Sequence, residues 1–505
     1  MAHGAIFKDQ PRGLLSLPVE LLNDIVSEIV GDEYPGTFDY RWVCCQLKNL
    51  RLTHKRFSNL DYLNTILFTY IQLKATRKGL TSYQGADLSR VAQFVEIVTF
   101  VAPPSWMLLR ETIEQTVNDS SSIEPINPKE TKVESSYTAY MKIAREAQVL
   151  LEESQDFQDV WTQVLKTLRE GLQVIRLMSE HCSTSDLPGG LLAHCHILNS
   201  HQYVCHCAAA VSGDRLFTTV MSSLAASRVA IPKLDISVFM TGNVKCTEIL
   251  GWDNIDLSEL ETLSLMLRVP NSEVNWWIED SVLKAFPCHT FEKAEKRSSD
   301  IVQSLVDKCH DNLSYLDLWG EGAMSWPTQH LTYNLSALEH VTYSVGTVRP
   351  ALFGDAITKM PSLRRLEIAC VEPSKGCSYV EWRHVFDAIR DHQNVAGPEP
   401  QGLHLNIHLM RTGAQLQLSY EGVICHDSNI ATERHEPGAE ETTELDHLAD
   451  EGFVLEKHLY GETPFVRNYR LRYMMDDWTP GMITEETDPH TESDARGEGG
   501  YKAGE

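Results

Sequence analysis

Apolar residues recur along the middle of the chain in one six-residue figure: apolar, two residues, apolar, one residue, apolar. It appears as Ile231-x-x-Leu234-x-Ile236, Leu260-x-x-Leu263-x-Leu265, Leu313-x-x-Leu316-x-Leu318, Leu338-x-x-Val341-x-Tyr343 and Leu363-x-x-Leu366-x-Ile368. The first two copies start 29 residues apart, and the last three follow one another at steps of 25. The alternating end of each copy predicts a short half-buried strand, because side chains of period two share a face. Leu403-x-Leu405-x-Ile407 alternates in the same way and closes the series, and Val95-x-x-Val98-x-Phe100 near its start is a candidate earlier member. Between the strands, Glu279–Phe286, Ser298–Cys309 and Tyr379–Asp391 carry apolar residues at steps of three and four, which predicts helices. A strand-plus-return unit cannot bury its apolar side alone, so such units stack into one parallel sheet with a continuous core.

The period lies inside the range of roughly 20–29 residues typical of leucine-rich repeats. The expectation is therefore an α/β fold with an irregular leucine-rich-repeat-like horseshoe over residues 231–410, against the plainer alternative of an ordinary α/β domain. The repeats are degenerate: the usual Asn after the strand is missing from every copy. The 53-residue step from Leu260 to Leu313 hides either one insertion or one unreadable repeat. Residues alternating with the buried ones point to the other face of the sheet, where a protein target would be held. These are Lys233, Asp235 and Ser237; Thr262, Ser264 and Met266; Tyr315, Asp317 and Trp319; His340, Thr342 and Ser344; and Arg365 and Glu367. Trp319 and Tyr315 are the strongest anchors among them, since interface hot spots favour Trp, Tyr and Arg.

The flanks differ in character. Residues 1–13 read as a flexible start. Residues 66–230 read as a mainly helical spacer: Asn118–Ser136 is a polar loop, and Tyr137–Cys182 has helical apolar spacing through 157, 160/161, 164/165, 168, 172 and 175. Residues 411–505 read as an acidic, largely disordered tail, with Ile430–Glu456 and Thr484–Glu505 the most acidic stretches. Within it, 453–482 has enough aromatic and apolar residues to pack back on the body. Residues 14–65 predict a small helical module. Ser16 is a candidate N-cap and Pro18 falls in the first turn, ahead of Leu21, Leu22, Ile25, Val26 and Ile29. After a loop over Gly31–Phe38, a second helical run carries Leu47, Leu50, Leu52, Phe57 and Leu60 between basic residues.

Leu17-Pro18-x-Glu20-Leu21-Leu22-x-x-Ile25, followed by Leu50-Arg51-Leu52-Thr53-x-Lys55-Arg56-Phe57-x-x-Leu60, resembles an F-box, closest to those of filamentous fungi. The resemblance covers about a tenth of the chain, and the stretch between its halves is longer than in many F-boxes. It implies a Skp-type adaptor as partner, a cullin ligase behind it, and a role as the substrate-recognition subunit of a ubiquitin ligase with no catalytic residue of its own. The residues implied to face the adaptor are Leu17, Pro18, Leu21, Leu22 and Ile25, with Leu50, Leu52 and Phe57 shared between core and interface. An F-box scaffold outside any ligase is the alternative role.

Charge narrows the partners. Seventy Asp and Glu against 44 Lys and Arg give a net charge of -26, which disfavours nucleic acid and anionic membranes, both of which are bound through Lys and Arg. No segment has the roughly 20 apolar residues that span a bilayer, and the start lacks a signal-peptide core, so the expected location is cytoplasm or nucleus with the 12 cysteines reduced. No nucleotide-binding, serine-hydrolase or zinc-protease motif is present. His181, Cys182, His194, Cys195, His196, His201, Cys205, His206 and Cys207 crowd into 27 residues. Adjacent ligand-type side chains diverge, however, whereas structural zinc uses spaced pairs, so a semi-buried helix is the favoured reading and a metalloprotein the remote one. No metal and no cofactor are expected. Trp276-Trp277 reads as core filling.

Overall fold

A computed structural model describes residues 17–30, 38–102, 149–150, 152–179, 198–240, 244–268, 291–320, 324–397, 401–412, 416–424 and 470–475. It is a mixed α/β fold built on one eleven-stranded sheet whose strand order is the chain order. The strands are β1 (Tyr70–Lys74), β2 (Ile97–Ala102), β3 (Val174–Ser179), β4 (Lys233–Phe239), β5 (Thr262–Arg268), β6 (Tyr315–Trp319), β7 (His340–Val348), β8 (Arg365–Pro373), β9 (Leu403–Arg411), β10 (Leu416–Ile424) and β11 (Arg470–Met475). β1 to β9 are parallel, and β10 and β11 continue antiparallel from β9.

The register explains why the apolar figure recurs. Val98, Ile175, Leu234, Leu263, Leu316, Val341, Leu366 and Leu405 stand in one cross-strand row, and all are buried. Phe100, Leu177, Ile236, Leu265, Leu318, Tyr343, Ile368 and Ile407 form the buried row two residues on. The backbone repeats as well. A carbonyl before one strand receives two successive N–H groups from before and within the next: Glu261 O from Ser314 and Tyr315, Ser314 O from Glu339 and His340, Glu339 O from Arg364 and Arg365.

β7, β8 and β9 carry a further shared feature. Val345, Cys370 and Leu409 each have a positive φ, of 51°, 52° and 50°. In each strand the buried parity shifts by one residue there: Tyr343 gives way to Gly346, Ile368 to Val371 and Ile407 to Met410. The three kinks lie at matching positions, β7 and β8 keep one-to-one pairing across theirs, and each strand keeps an apolar side on the core.

Above the sheet, helices bury apolar residues at helical spacing. A first helix of the body, Arg77–Gln84, buries Leu80. Ser154–Leu168 buries Phe157, Trp161, Val164, Leu165 and Leu168. Leu198–Ser227 packs on β2, β3 and β4. Phe291–Cys309 buries Ile301, Val302, Leu305 and Val306. Pro350–Thr358 and Trp382–Arg390 pack on one another. Sheet and helices share one continuous hydrophobic core running from Leu73 to Ile424.

The helical module ahead of the sheet has its own core. Numbered from the N-terminus, its helices are α1 (Val19–Val30), α2 (Phe38–Thr53), α3 (Lys55–Ser58) and α4 (Asp61–Phe68). Leu22, Val26, Leu47, Phe57, Leu60, Leu63 and Leu67 form a cluster separate from that of the body. The expected second helical run is three helices. His54 interrupts it by leaving helical geometry and accepting the Arg56 N–H on its imidazole at 3.1 Å. Pro18 precedes α1 rather than lying in its first turn, and its carbonyl accepts the N–H of Leu22 at 3.2 Å. The Arg56 guanidinium donates to the Leu17 carbonyl, and the Arg51 guanidinium donates to Asn64 at 3.0 Å and lies 5.0 Å from the Phe68 ring centroid.

Several expectations change. The described part of 66–230 is helix-rich as expected, and the candidate strand near 95–100 is β2, but the stretch is not a separate spacer, because it supplies β1, β2 and β3 to the same sheet. The apolar run through 157–175 is not one helix: it ends at Leu168, and Leu172 and Ile175 belong to the approach and start of β3. The 53-residue step is an insertion rather than an unreadable repeat, since β5 pairs directly with β6. Residues 416–424, expected within the tail, form β10, which pairs with β9 through Leu418 opposite Met410 and Tyr420 opposite Ile407. The candidate packed segment 453–482 contributes β11. Ser16, the 31–37 connection, the polar loop 118–136, Trp276-Trp277, Glu279–Phe286, the most acidic tail stretches and His181–His196 lie outside the described residues.

Candidate functional site

Strands joined in chain order by right-handed crossovers place their connections on one side of a parallel sheet and leave the other open. Burial follows that rule. The rows alternating with the buried ones are half-exposed along β3, β6 and β7. The central row of the open face runs Gln72, Thr99, Arg176, Asp235, Ser264, Asp317, Thr342, Glu367 and Asn406, polar in all nine parallel strands and partly exposed in each except β2, where Thr99 is buried. Beside it run Lys233, Thr262, Tyr315, His340 and Arg365 on one flank, and Met178, Ser237, Met266, Trp319 and Ser344 on the other. Every expected target-facing residue therefore lies in one of three adjacent rows on one face. Arg176 and Met178 belong to the same surface and escaped the sequence reading because β3 was read as helix. Ser344 is the least accessible of the expected set, being buried beside the positive-φ kink at Val345.

Polar contacts knit this face. Arg176 pairs with Asp235 at 2.8 Å, and Ser264 donates to Asp317 at 3.1 Å. Arg365 pairs with Glu367, which also meets His340 at 3.5 Å. The His340 ring packs edgewise on Tyr315, with centroids 4.5 Å apart. Burial raises the Asp317 carboxyl above its ordinary pKa, and the charges of Asp235 and Glu367 raise it further, against the Ser264 hydrogen bond and His340. Burial lowers the His340 imidazole, with Arg365 adding to the effect and Glu367 opposing it. Trp319 stands 41% exposed at the C-terminal end of β6.

The second surface is on α1. Leu21, Ile25 and Ile29 fall at i, i+4 and i+8, hence on one side of the helix. Leu21 is 46% and Ile29 36% exposed, Ile25 is half-buried, and exposed Pro18 lies at their N-terminal end. Leu17 and Leu50 are half-buried, and Leu52 at the end of α2 is 79% exposed. Two of the expected docking residues are corrected: Leu22 is 0% and Phe57 3% exposed, so both build the module's core and offer no surface. Ile29 and Val19 are exposed apolar residues that the resemblance did not single out.

Among the described residues, no three His, Cys, Asp or Glu side chains are placed to hold a metal ion, and no helix is long and apolar enough to cross a membrane. Residues 198–207 are helical, but the side chains of the His/Cys cluster lie outside the described set. Burial pushes the thiols of Cys246 and Cys309 up to about 12, which keeps both protonated and unreactive at neutral pH. No known protein family's profile matches the chain, and no curated protein matches it.

Proposed function

We propose that the protein is a substrate receptor of a Skp–cullin–F-box type ubiquitin ligase: the N-terminal module docks on a Skp-type adaptor, and a leucine-rich-repeat-like horseshoe presents its open sheet face to a protein target. One observation carries the reading. The module closes a core of its own around Leu22, Val26, Leu47 and Phe57 and still leaves Leu21, Ile25 and Ile29 as an apolar ridge. A ridge of that kind on an amphipathic helix suits a groove on a partner protein. The coupling of the two parts supports it further. α4 ends at Phe68 and β1 begins at Tyr70, and the Thr69 carbonyl between them receives the N–H groups of Glu96 and Ile97. Phe68 packs against both cores. A receptor acts by raising the effective concentration of a target lysine near a recruited ubiquitin-conjugating enzyme, so a stiff joint between docking module and target-binding face serves the role.

The test is a pull-down of a Skp-type adaptor with the full chain and with Leu21→Asp/Ile29→Asp. The substitutions sit at exposed positions, so the module stays folded by hydrogen exchange while adaptor binding falls at least about a hundredfold, since two carboxylates would be desolvated in an apolar groove. Adaptor capture undiminished by the double substitution overturns the docking assignment.

A further inference from the structure

The open face carries an uncompensated charge at its centre. Three carboxylates stand in the central row, at Asp235, Asp317 and Glu367. Arg176 pairs with the first and Arg365 with the third. Asp317, between them and two strands from each, has a serine hydroxyl as its hydrogen-bond partner and, among the described residues, no basic group within ion-pair distance. A half-buried carboxylate without a cation forfeits part of its hydration and recovers little of it from one hydroxyl. The same strand places Tyr315 and Trp319 on either side of it, two residues away on the same face. Tyr315 is braced by His340, Trp319 is exposed, and Met266 lies in register beside Trp319.

Resting on the receptor reading, the geometry points to a docking site on β6 for a basic segment of the target, with an arginine guanidinium meeting the Asp317 carboxylate between the rings of Tyr315 and Trp319. Charge complementarity selects this occupant. The chain carries a net charge of -26, and the potential at Asp317 is made more negative by Asp235 and Glu367. Arginine suits the site better than lysine because its planar group can fork onto a carboxylate while stacking on an aromatic face. The neighbouring Arg176 and Arg365 stay with their own carboxylates and frame the subsite on both sides.

Fluorescence anisotropy of the purified full chain tests the assignment. The probe is a labelled nonapeptide of alternating arginine and glycine, compared with the same peptide carrying citrulline, which keeps the shape and removes the charge. Asp317→Asn weakens arginine-peptide binding about tenfold or more, and Trp319→Ala about threefold or more. Asp253→Asn, which removes the same charge at an exposed position on the Trp252–Asn254 turn, changes it less than twofold. Equal losses from Asp317→Asn and Asp253→Asn, or citrulline-peptide binding as tight as arginine-peptide binding, show diffuse attraction to an acidic protein and overturn the site. Wild-type affinity in Asp317→Asn also overturns it. Adaptor capture is measured on the same preparations. If Asp317→Asn captures adaptor normally but keeps full peptide binding, the basic-segment site fails alone. If wild-type protein binds peptide through Asp317 but captures no adaptor, the ligase reading fails and the site stands.

Discussion

Adjacent residues in α1 separate what folds the module from what it offers a partner. Leu22 is 0% exposed and Leu21 46% exposed. Truncating a fully buried leucine to alanine costs about 2–5 kcal/mol, the spread depending on how far the site collapses. A module of this size holds on the order of 3–7 kcal/mol in total at ordinary stability per residue, so Leu22→Ala removes a large share of it. Leu21→Ala loses burial of about half a side chain, at most about 1 kcal/mol, part of which the better helix propensity of alanine restores. Hydrogen exchange read on peptides covering residues 17–68 resolves the two. A loss of about 3 kcal/mol speeds exchange of the best-protected amides about a hundredfold, and 1 kcal/mol about fivefold. The expected result is fast exchange across α1 and α4 in Leu22→Ala, near-native exchange in Leu21→Ala, and native protection in β4–β9 for both, because the body's core is a separate cluster. Comparable exchange in the two variants, or a body that loosens with Leu22→Ala, refutes the division into two cores.

Three further outcomes follow from individual contacts. Gly354→Ala places a Cβ 2.6 Å from the His384 carbonyl oxygen where Pro350–Thr358 meets Trp382–Arg390, so it lowers stability by about 1–3 kcal/mol, measured by denaturant unfolding, although alanine is the better helix former. Arg51→Ala removes both the 3.0 Å hydrogen bond to Asn64 and the stacking on Phe68, and is expected to cost about 1–2 kcal/mol and to raise exchange in α4 and the start of β1 before the rest of the sheet. Asp317→Asn is expected to stabilise the protein at neutral pH. The folded-state pKa is raised, so ionised Asp317 works against folding above the carboxylate range, and the advantage of asparagine fades as pH falls through that range; a lower denaturation midpoint at pH 7 would contradict the assignment of an unpaired carboxylate.

Much of the body was legible because its register rests on burial. A strand shifted by one residue would turn Leu263 and Leu265, or Leu316 and Leu318, to solvent, so the apolar figure and the strand positions coincide. The same figure stands in Phe68-x-x-Ile71-x-Leu73 and Leu172-x-x-Ile175-x-Leu177, at β1 and β3, and the second of these is masked for a physical reason. Steps of 77 residues before it and 59 after it isolate the Leu172 copy, so no constant step announces it, whereas the Phe68 copy starts 27 residues before Val95, inside the repeat period. In β3 the figure also follows directly on the helical spacing of Phe157 to Leu168, and Leu172 and Ile175 continue steps of three and four. β10 is hidden by the acidic composition farther along, which dominates 411–505, although its own alternation is plain. In the module, the apolar spacing marks α1 as a helix but does not sort its sides. Leu21 and Leu22 are chemically identical, and only the positions of α2 and α4 decide which of them is covered.

The open face was located by elimination and could not be interpreted the same way. Positions that alternate with a buried row fall on the opposite face of the sheet, which is why Asp235, Asp317, Trp319 and Glu367 are legible from spacing alone. Spacing is silent on how these carboxylates are satisfied across strands, because that depends on neighbours 53 and 59 residues away, Ser264 for Asp317 and Arg176 for Asp235. Folding asks nothing specific of these residues, since any polar side chain would satisfy a solvated sheet face. An arrangement in which two carboxylates find arginines and the central one, flanked by two aromatic rings, finds none is therefore not explained by the stability of the sheet, which it lowers. A cost carried on a face that folding leaves free is what a binding surface looks like before its partner arrives.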